Sequence, residues 1–285
     1  MEYNDQATLD PSQMGGGGRR GGGIAIGGGA GLIILILALI FGFNPGDILG
    51  GGDQGGAQSS ENPYSHCTAG VDIQKDRNCR WVAYTNSIQS YWKTQVQGYK
   101  VIQTHIFTGQ VSTACGTATS EVGPFYCPSD TTVYLDTGFF DVLTQRLGAK
   151  GGDAAEAYVI AHEYGHHISN LIGIMDKVQQ AGNQTGPKSP QVRLELQADC
   201  FAGVWLRNAT KDPNGPIKSI TQDDLNRAVD AAISVGDDRI QERTSGRVDR
   251  ESWTHGSSAQ RKQWLSNGFN SGDPNKCDTF AANAI

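Results

Sequence analysis

The stretch from Asp153 to Ile172 sets two histidines and a glutamate inside an otherwise apolar helical pattern, and this restricts the fold more than any other feature of the chain. Asp153 and Glu156 suit a helix start, Ala157, Ile160, Ala161, Tyr164 and Ile168 form an apolar stripe, and Gly173 ends the pattern. Within it lies Ala161-His162-Glu163-Tyr164-Gly165-His166-His167. A spacing of four on an α-helix puts His162 and His166 on one face, a turn apart, where both imidazoles reach a single tetrahedral zinc ion. Glu163, beside His162, is then placed to reach a water on the metal rather than the metal itself. Gly165 leaves room for another element to approach closely. His167 points about 100° away from His166 and is read as supporting the ligands or the fold.

A second helical pattern, Gln191 to Asn208, contains Leu194-Glu195-Leu196-Gln197-Ala198-Asp199. Glu195 and Asp199 are one turn apart. Glu195 is expected to be the third zinc ligand, and Asp199 to accept a hydrogen bond from a ligand imidazole. Acidic pairs on helices are mostly solvated, but Leu194, Leu196, Ala198 and Phe201 crowd this one and favour burial. His66 and His105 have no partners at ligand spacing and are read as ordinary histidines.

The 285-residue chain has a formal net charge of −6, so a broad basic footprint for nucleic acid is missing and none is expected as a partner. Six cysteines, Cys67, Cys79, Cys115, Cys127, Cys200 and Cys277, all follow an apolar run near the start. An even number so placed is what disulfides formed outside the cytosol would leave; buried free thiols are the alternative. Pairing Cys67 with Cys79 and Cys115 with Cys127 closes loops of equal span and leaves Cys200 for Cys277, one choice among many.

Residues 1–23 are polar and then glycine-rich, a composition read as a disordered cytoplasmic tail. Ile24 to Phe43 lacks charged side chains and as a helix would measure about 30 Å, enough to cross a bilayer once. Its glycines and its short dense core leave a cleaved signal peptide as the alternative. Arg19 and Arg20 before the run predict a cytoplasmic N-terminus and an extracytoplasmic remainder, a single-pass protein of the cell membrane. Residues 44–63 form a Gly/Ser-rich linker with ends about 25 Å apart on average, and residues 64–285 are the folded domain.

Within that domain, Asn78 to Gly98 has a core-facing helical stripe of Trp81, Tyr84, Ile88, Tyr91 and Trp92, and Val101 to Val111 alternates as a strand. A short strand is expected at Thr131 to Asp136, helical spacing at Gly138 to Leu147, a loop at Gly182 to Pro190, and helices at Asp223 to Ser234 and Ser257 to Ser266.

His162 to His167, Glu195 to Cys200, the stretch Cys115-Gly116 through Gly123-Pro-Phe-Tyr-Cys-Pro, and His255-Gly-Ser-Ser-Ala-Gln-Arg261 together resemble the bacterial putative neutral zinc metallopeptidases. The resemblance covers nearly everything from the apolar run onward. It implies a zincin-like α+β domain similar to the gluzincin class, mainly helical with a small sheet and preceded by one transmembrane helix, with one Zn2+ held by His162, His166 and Glu195. It also implies hydrolysis of a peptide or protein substrate, with Glu163 as the acid/base. His255 would stabilise the oxyanion, although a surface or cap-region histidine fits the same position. The strand near Thr132 to Leu135 is expected to offer its edge to a substrate backbone. Two rivals stay open: a zinc- or disulfide-stabilised cell-surface binding protein, and a zinc amidase acting on cell-wall material.

Overall fold

The computed structural model describes residues 1–15, 62–120 and 122–285. The expected transmembrane helix at 24–43 and nearly all of the linker at 44–63 lie outside them. Among the described residues no helix is long and apolar enough to cross a membrane.

The architecture is α+β and mainly helical, organised around the helix that carries the histidines. Helix α1 (Arg77–Gln95) is capped by the Asp76 carboxylate, which accepts from Asn78 N, and it buries Trp81, Tyr84, Ile88 and Trp92. A four-stranded sheet follows in the order β2 (Met14–Gly15), β3 (Thr104–Phe107), β7 (Thr132–Asp136), β6 (Phe125–Cys127). The β2–β3 and β3–β7 pairs are parallel and β6–β7 is antiparallel. Strands β4 (Gln110–Thr113) and β5 (Gly116–Thr119) form a separate hairpin.

The buried helix α2 (Asp153–Leu171) packs on β6 and β7, on α1, and on α4 (Pro190–Asn208) and α5 (Gln222–Ser234). Between α2 and α4 lies the short helix α3 (Ile174–Gln180). Helices α6 (Asp237–Ser245) and α7 (Ser258–Ser271) complete the domain, α7 lying along α4. Ser189 caps α4 through Val192 N with Pro190 in its first turn, and Ser257 caps α7 in a reciprocal box with Gln260. The three disulfides are Cys67–Cys79, Cys115–Cys127 and Cys200–Cys277, and the described residues hold no free cysteine.

Four sequence expectations change. The strand expected over Val101 to Val111 is two strands, because the chain turns at Gly109, whose φ of 82° suits glycine. Strand β7 is paired on both sides, so Thr132 to Leu135 has no open edge for a substrate; among the described residues the free edge on that side belongs to β6. Helix α6 was not foreseen, since its polar sequence shows little apolar periodicity.

The fourth correction concerns the tail. Residues 1–15 are folded against the domain rather than disordered. Tyr3, Ala7, Leu9 and Met14 are buried, β1 (Glu2–Tyr3) pairs with β8 (Ile217–Ser219), and β2 joins the main sheet. The glycine-rich composition that suggested disorder begins only at Gly15.

Candidate active site

Helices α2 and α4 cross at Gly165. A Cβ on that glycine would lie 2.8 Å from Ala198 Cα and 2.9 Å from Ala198 O, so a larger residue would force the helices apart. This contact brings Glu195 and Asp199, on either side of Ala198, over the histidine face of α2. His162 Nε2 lies 3.1 Å from Glu195 Oε2 and His166 Nε2 lies 3.6 Å from Glu195 Oε1. One ligand atom from each of the three buried residues falls within 4.8 Å of the other two.

The donor set fits zinc. Bonds of about 2.0 to 2.1 Å to nitrogen and oxygen require ligand atoms roughly 3.3 Å apart in a tetrahedron, between the two observed separations. His166 Nε2 and Glu195 Oε1 are buried without a hydrogen-bond partner, an arrangement that costs free energy unless a cation satisfies them. Glu163 is also buried, its Oε2 likewise unpartnered, yet it does not belong to the converging group. Burial raises its pKa, and this outweighs the pull of His162 and His166.

Asp199 sits behind His162. The imidazole donates from Nδ1 to Asp199 Oδ1 at 2.9 Å, which leaves Nε2 facing Glu195. Tyr158 OH donates to the same oxygen at 2.6 Å, and Arg261 donates from Nε to Oδ2 at 2.8 Å and from Nη2 to Oδ1 at 2.9 Å. Burial would raise the Asp199 carboxyl, but the charges of Arg261 and then His162 bring it down to about 2. Burial would lower His162, but Asp199 outweighs this and holds it up at about 9, so protons and a metal compete for this imidazole.

Arg261 and Tyr158 are the two residues of this network without an assigned role in the sequence reading. Tyr158 had a signal, since it lies one turn before His162 on the face that continues to His166. Arg261 ends the stretch from His255 that resembles the family, but nothing local points to its partner, on another helix 62 positions away.

His255 is buried in the loop before α7, outside the three-residue group. A Cβ on the next residue, Gly256, would touch Val192 and Leu196, which places this loop against the Glu195 turn of α4. Burial would raise Glu195, but the charges of His166 and His255 hold it well below the ordinary carboxylate range. The loop is organised by Asp237, whose Oδ2 accepts from the backbone N–H groups of Thr254, His255 and Gly256 at 2.8, 2.7 and 2.9 Å. His66, Cys67, Asp76 and Cys79 also converge, but both sulfurs are joined in a disulfide and cannot ligate.

His167 points to the far side of α2. Tyr126 OH donates to its Nδ1 at 3.0 Å while accepting from Asn170 Nδ2 at 3.0 Å, and His167 Nε2 donates to Lys100 O at 3.3 Å. A proton on Nδ1 would face a hydroxyl whose own proton already points at it. Together with burial, the main cause, this is consistent with a pKa lowered to about 4. A group depressed in this way costs stability as pH falls from about 6.5 toward 4, where the unfolded chain binds the proton and the folded one does not. An NMR titration is expected to find the His167 midpoint near 4, and a midpoint above 6 would contradict this packing.

Two histidines a turn apart and a glutamate from a second helix converge as a group able to hold a metal ion, with Glu163 of the same His-Glu-x-x-His motif buried beside them. The chain belongs to the family described as "Putative neutral zinc metallopeptidase", whose pattern matches residues 4–280. It is 45% identical over 255 residues to uncharacterized protein Rv2575 of Mycobacterium tuberculosis (strain ATCC 25618 / H37Rv), covering 86% of this chain and 85% of the relative. It is 39% identical over 258 residues to uncharacterized protein YpfJ of Escherichia coli (strain K12), covering 87% of this chain and 85% of that one. No solved structure matches.

Proposed function

We propose that this chain is a zinc-dependent endopeptidase that acts outside the cytoplasm, attached to the membrane through residues 24–43. The observation that carries the reading is the buried convergence of His162, His166 and Glu195 beside the Glu163 carboxylate, whose Oε2 is unpartnered. His162, His166 and Glu195 would hold the ion, which when bound supplies Lewis acidity toward water and a peptide carbonyl. Glu163 takes a proton from the attacking water and returns it to the departing amine. Asp199 fixes the His162 ring with Nδ1 protonated, and Arg261 and Tyr158 fix Asp199. His255, held by the Asp237 carboxylate, is the candidate to bear on the developing oxyanion.

Placement outside the cytoplasm is supported by the three disulfides. A structural zinc site is normally closed by four protein ligands. The converging group has three, and this disfavours a binding protein with a silent metal.

The test is zinc content by elemental analysis on the full chain in detergent, beside Glu195→Ala, with hydrolysis of an unstructured protein assayed in parallel. About one zinc per chain and hydrolysis are expected for the wild type, with both lost in Glu195→Ala. A wild-type chain that takes up no zinc would sink the proposal. Zinc without peptide hydrolysis, but with cleavage of cell-wall fragments, would replace it with the amidase reading.

A further inference from the structure

The docking of residues 1–15 is extensive and specific. Tyr3 reaches the start of the histidine helix, donating to Asp153 Oδ2 at 2.6 Å, and its hydroxyl lies 2.6 Å from that of buried Tyr84. Asn4 N donates to Pro216 O at 2.9 Å, Thr8 bridges to Ala69, and Asp10 and Asn86 exchange two hydrogen bonds of 2.7 and 3.0 Å. Gln89 Nε2 donates to Gln13 Oε1 at 2.8 Å. The domain is also shaped for this segment: a Cβ on Gly70 would stand 1.9 Å from Asn4 O, so the backbone of residue 4 occupies the space a side chain would need.

The two ends of the intervening stretch meet. Asn62 Nδ2 donates to Pro11 O at 2.8 Å and to Met14 O at 3.1 Å, so the described residues on either side of positions 16–61 lie together. A single membrane crossing between these points would set them apart by a hydrocarbon layer of about 30 Å, and two helical crossings need about 40 apolar residues. Ile24 to Phe43 supplies about half of that.

We propose that residues 1–15 lie outside the cytoplasm, docked on the same domain as the zinc site. This would put the N-terminus on the side opposite to that expected from Arg19 and Arg20. The inference rests on the extracytoplasmic placement of the domain but not on its catalytic activity.

The Thr8–Ala69 bridge provides the test. The flanking bonds, Leu9 N to Thr68 O and Gly70 N to Ala7 O, make this a non-hydrogen-bonded antiparallel pair. The Cα separation in such pairs, about 4.5 Å, admits a disulfide. The full chain is expressed in bacterial cells as Thr8→Cys, as Lys262→Cys, and as the double variant Thr8→Cys/Ala69→Cys; Thr8 and Lys262 are both exposed. Intact cells stripped of any outer envelope are treated with a membrane-impermeant maleimide, and the double variant is mapped for a peptide linked through positions 8 and 69.

Labelling of both single variants and an 8–69 disulfide are expected, the disulfide being lost when Gly70→Ala is added. Labelling of Lys262→Cys with Thr8→Cys protected until the membrane is opened would overturn the proposal alone. Labelling of both without the linked peptide would overturn the docking, and protection of both would remove the extracytoplasmic placement itself.

Discussion

Replacing Glu163 with glutamine is expected to lower kcat on an unstructured protein by roughly a thousandfold, the scale of a positioned general acid/base, while zinc content stays at that of the wild type. The separation of the two readouts follows from geometry. Glu163 shares the buried pocket with the ligands, but its carboxylate is not among the converging atoms, so an amide in its place leaves the donor set of His162, His166 and Glu195 intact. Burial holds its carboxyl above the usual range. Because catalysis needs the ionised form, activity is expected to rise with pH through this group's pKa, and the glutamine variant is expected to lose that acid limb. Glu163→Asp keeps the charge but withdraws it by one methylene and is expected to fall between the two. A glutamine variant with wild-type kcat would remove Glu163 from the chemistry, and one without zinc would make it a ligand.

The parts of this site that were readable in the sequence are those in which local geometry decides. His162 with His166, and Glu195 with Asp199, are pairs at helical spacing, and an α-helix places each pair on one face whatever the rest of the fold does. That the two pairs face each other depends on Gly165 meeting Ala198, for which the glycine was a usable sign. Arg261 was not readable as a partner of Asp199, because nothing local records which buried carboxylate an arginine on a later helix will meet. The same reason explains β7: whether a strand is central or at an edge is set by pairings with distant segments, here β3 and β6. Residues 1–15 were misread for a different reason. Averaging composition to residue 23 merged a segment with four buried apolar residues, Tyr3, Ala7, Leu9 and Met14, into the glycines that follow it.

Arg261→Met is expected to reduce the unfolding free energy by about 3 to 5 kcal/mol, the cost of removing one partner from a buried ion pair. Arg261 and Asp199 are 1% and 0% exposed, and the guanidinium supplies two of the four hydrogen bonds that Asp199 accepts. Methionine fills similar volume, so the loss reports mainly the stranded charge rather than a cavity. Asp199→Asn strands the arginine instead and is expected to cost a similar amount. The double variant, with neither charge, is expected to be more stable than the sum of the single losses allows, a coupling that urea unfolding of all four proteins would measure. The pair also carries a pH signature. Asp199 titrates at about 2 in the folded protein against an ordinary value of 3.8. Its contribution, about 2 kcal/mol by linkage, is therefore present above the unfolded pKa and lost as pH falls through the folded one. Arg261→Met is expected to lose most of this acid-side dependence. Because Asp199 orients the zinc-facing ring of His162, Asp199→Asn is expected to weaken zinc binding by about 10- to 100-fold. Strictly additive losses with unchanged zinc affinity would reduce Asp199 and Arg261 to core packing, with no part in holding the metal site.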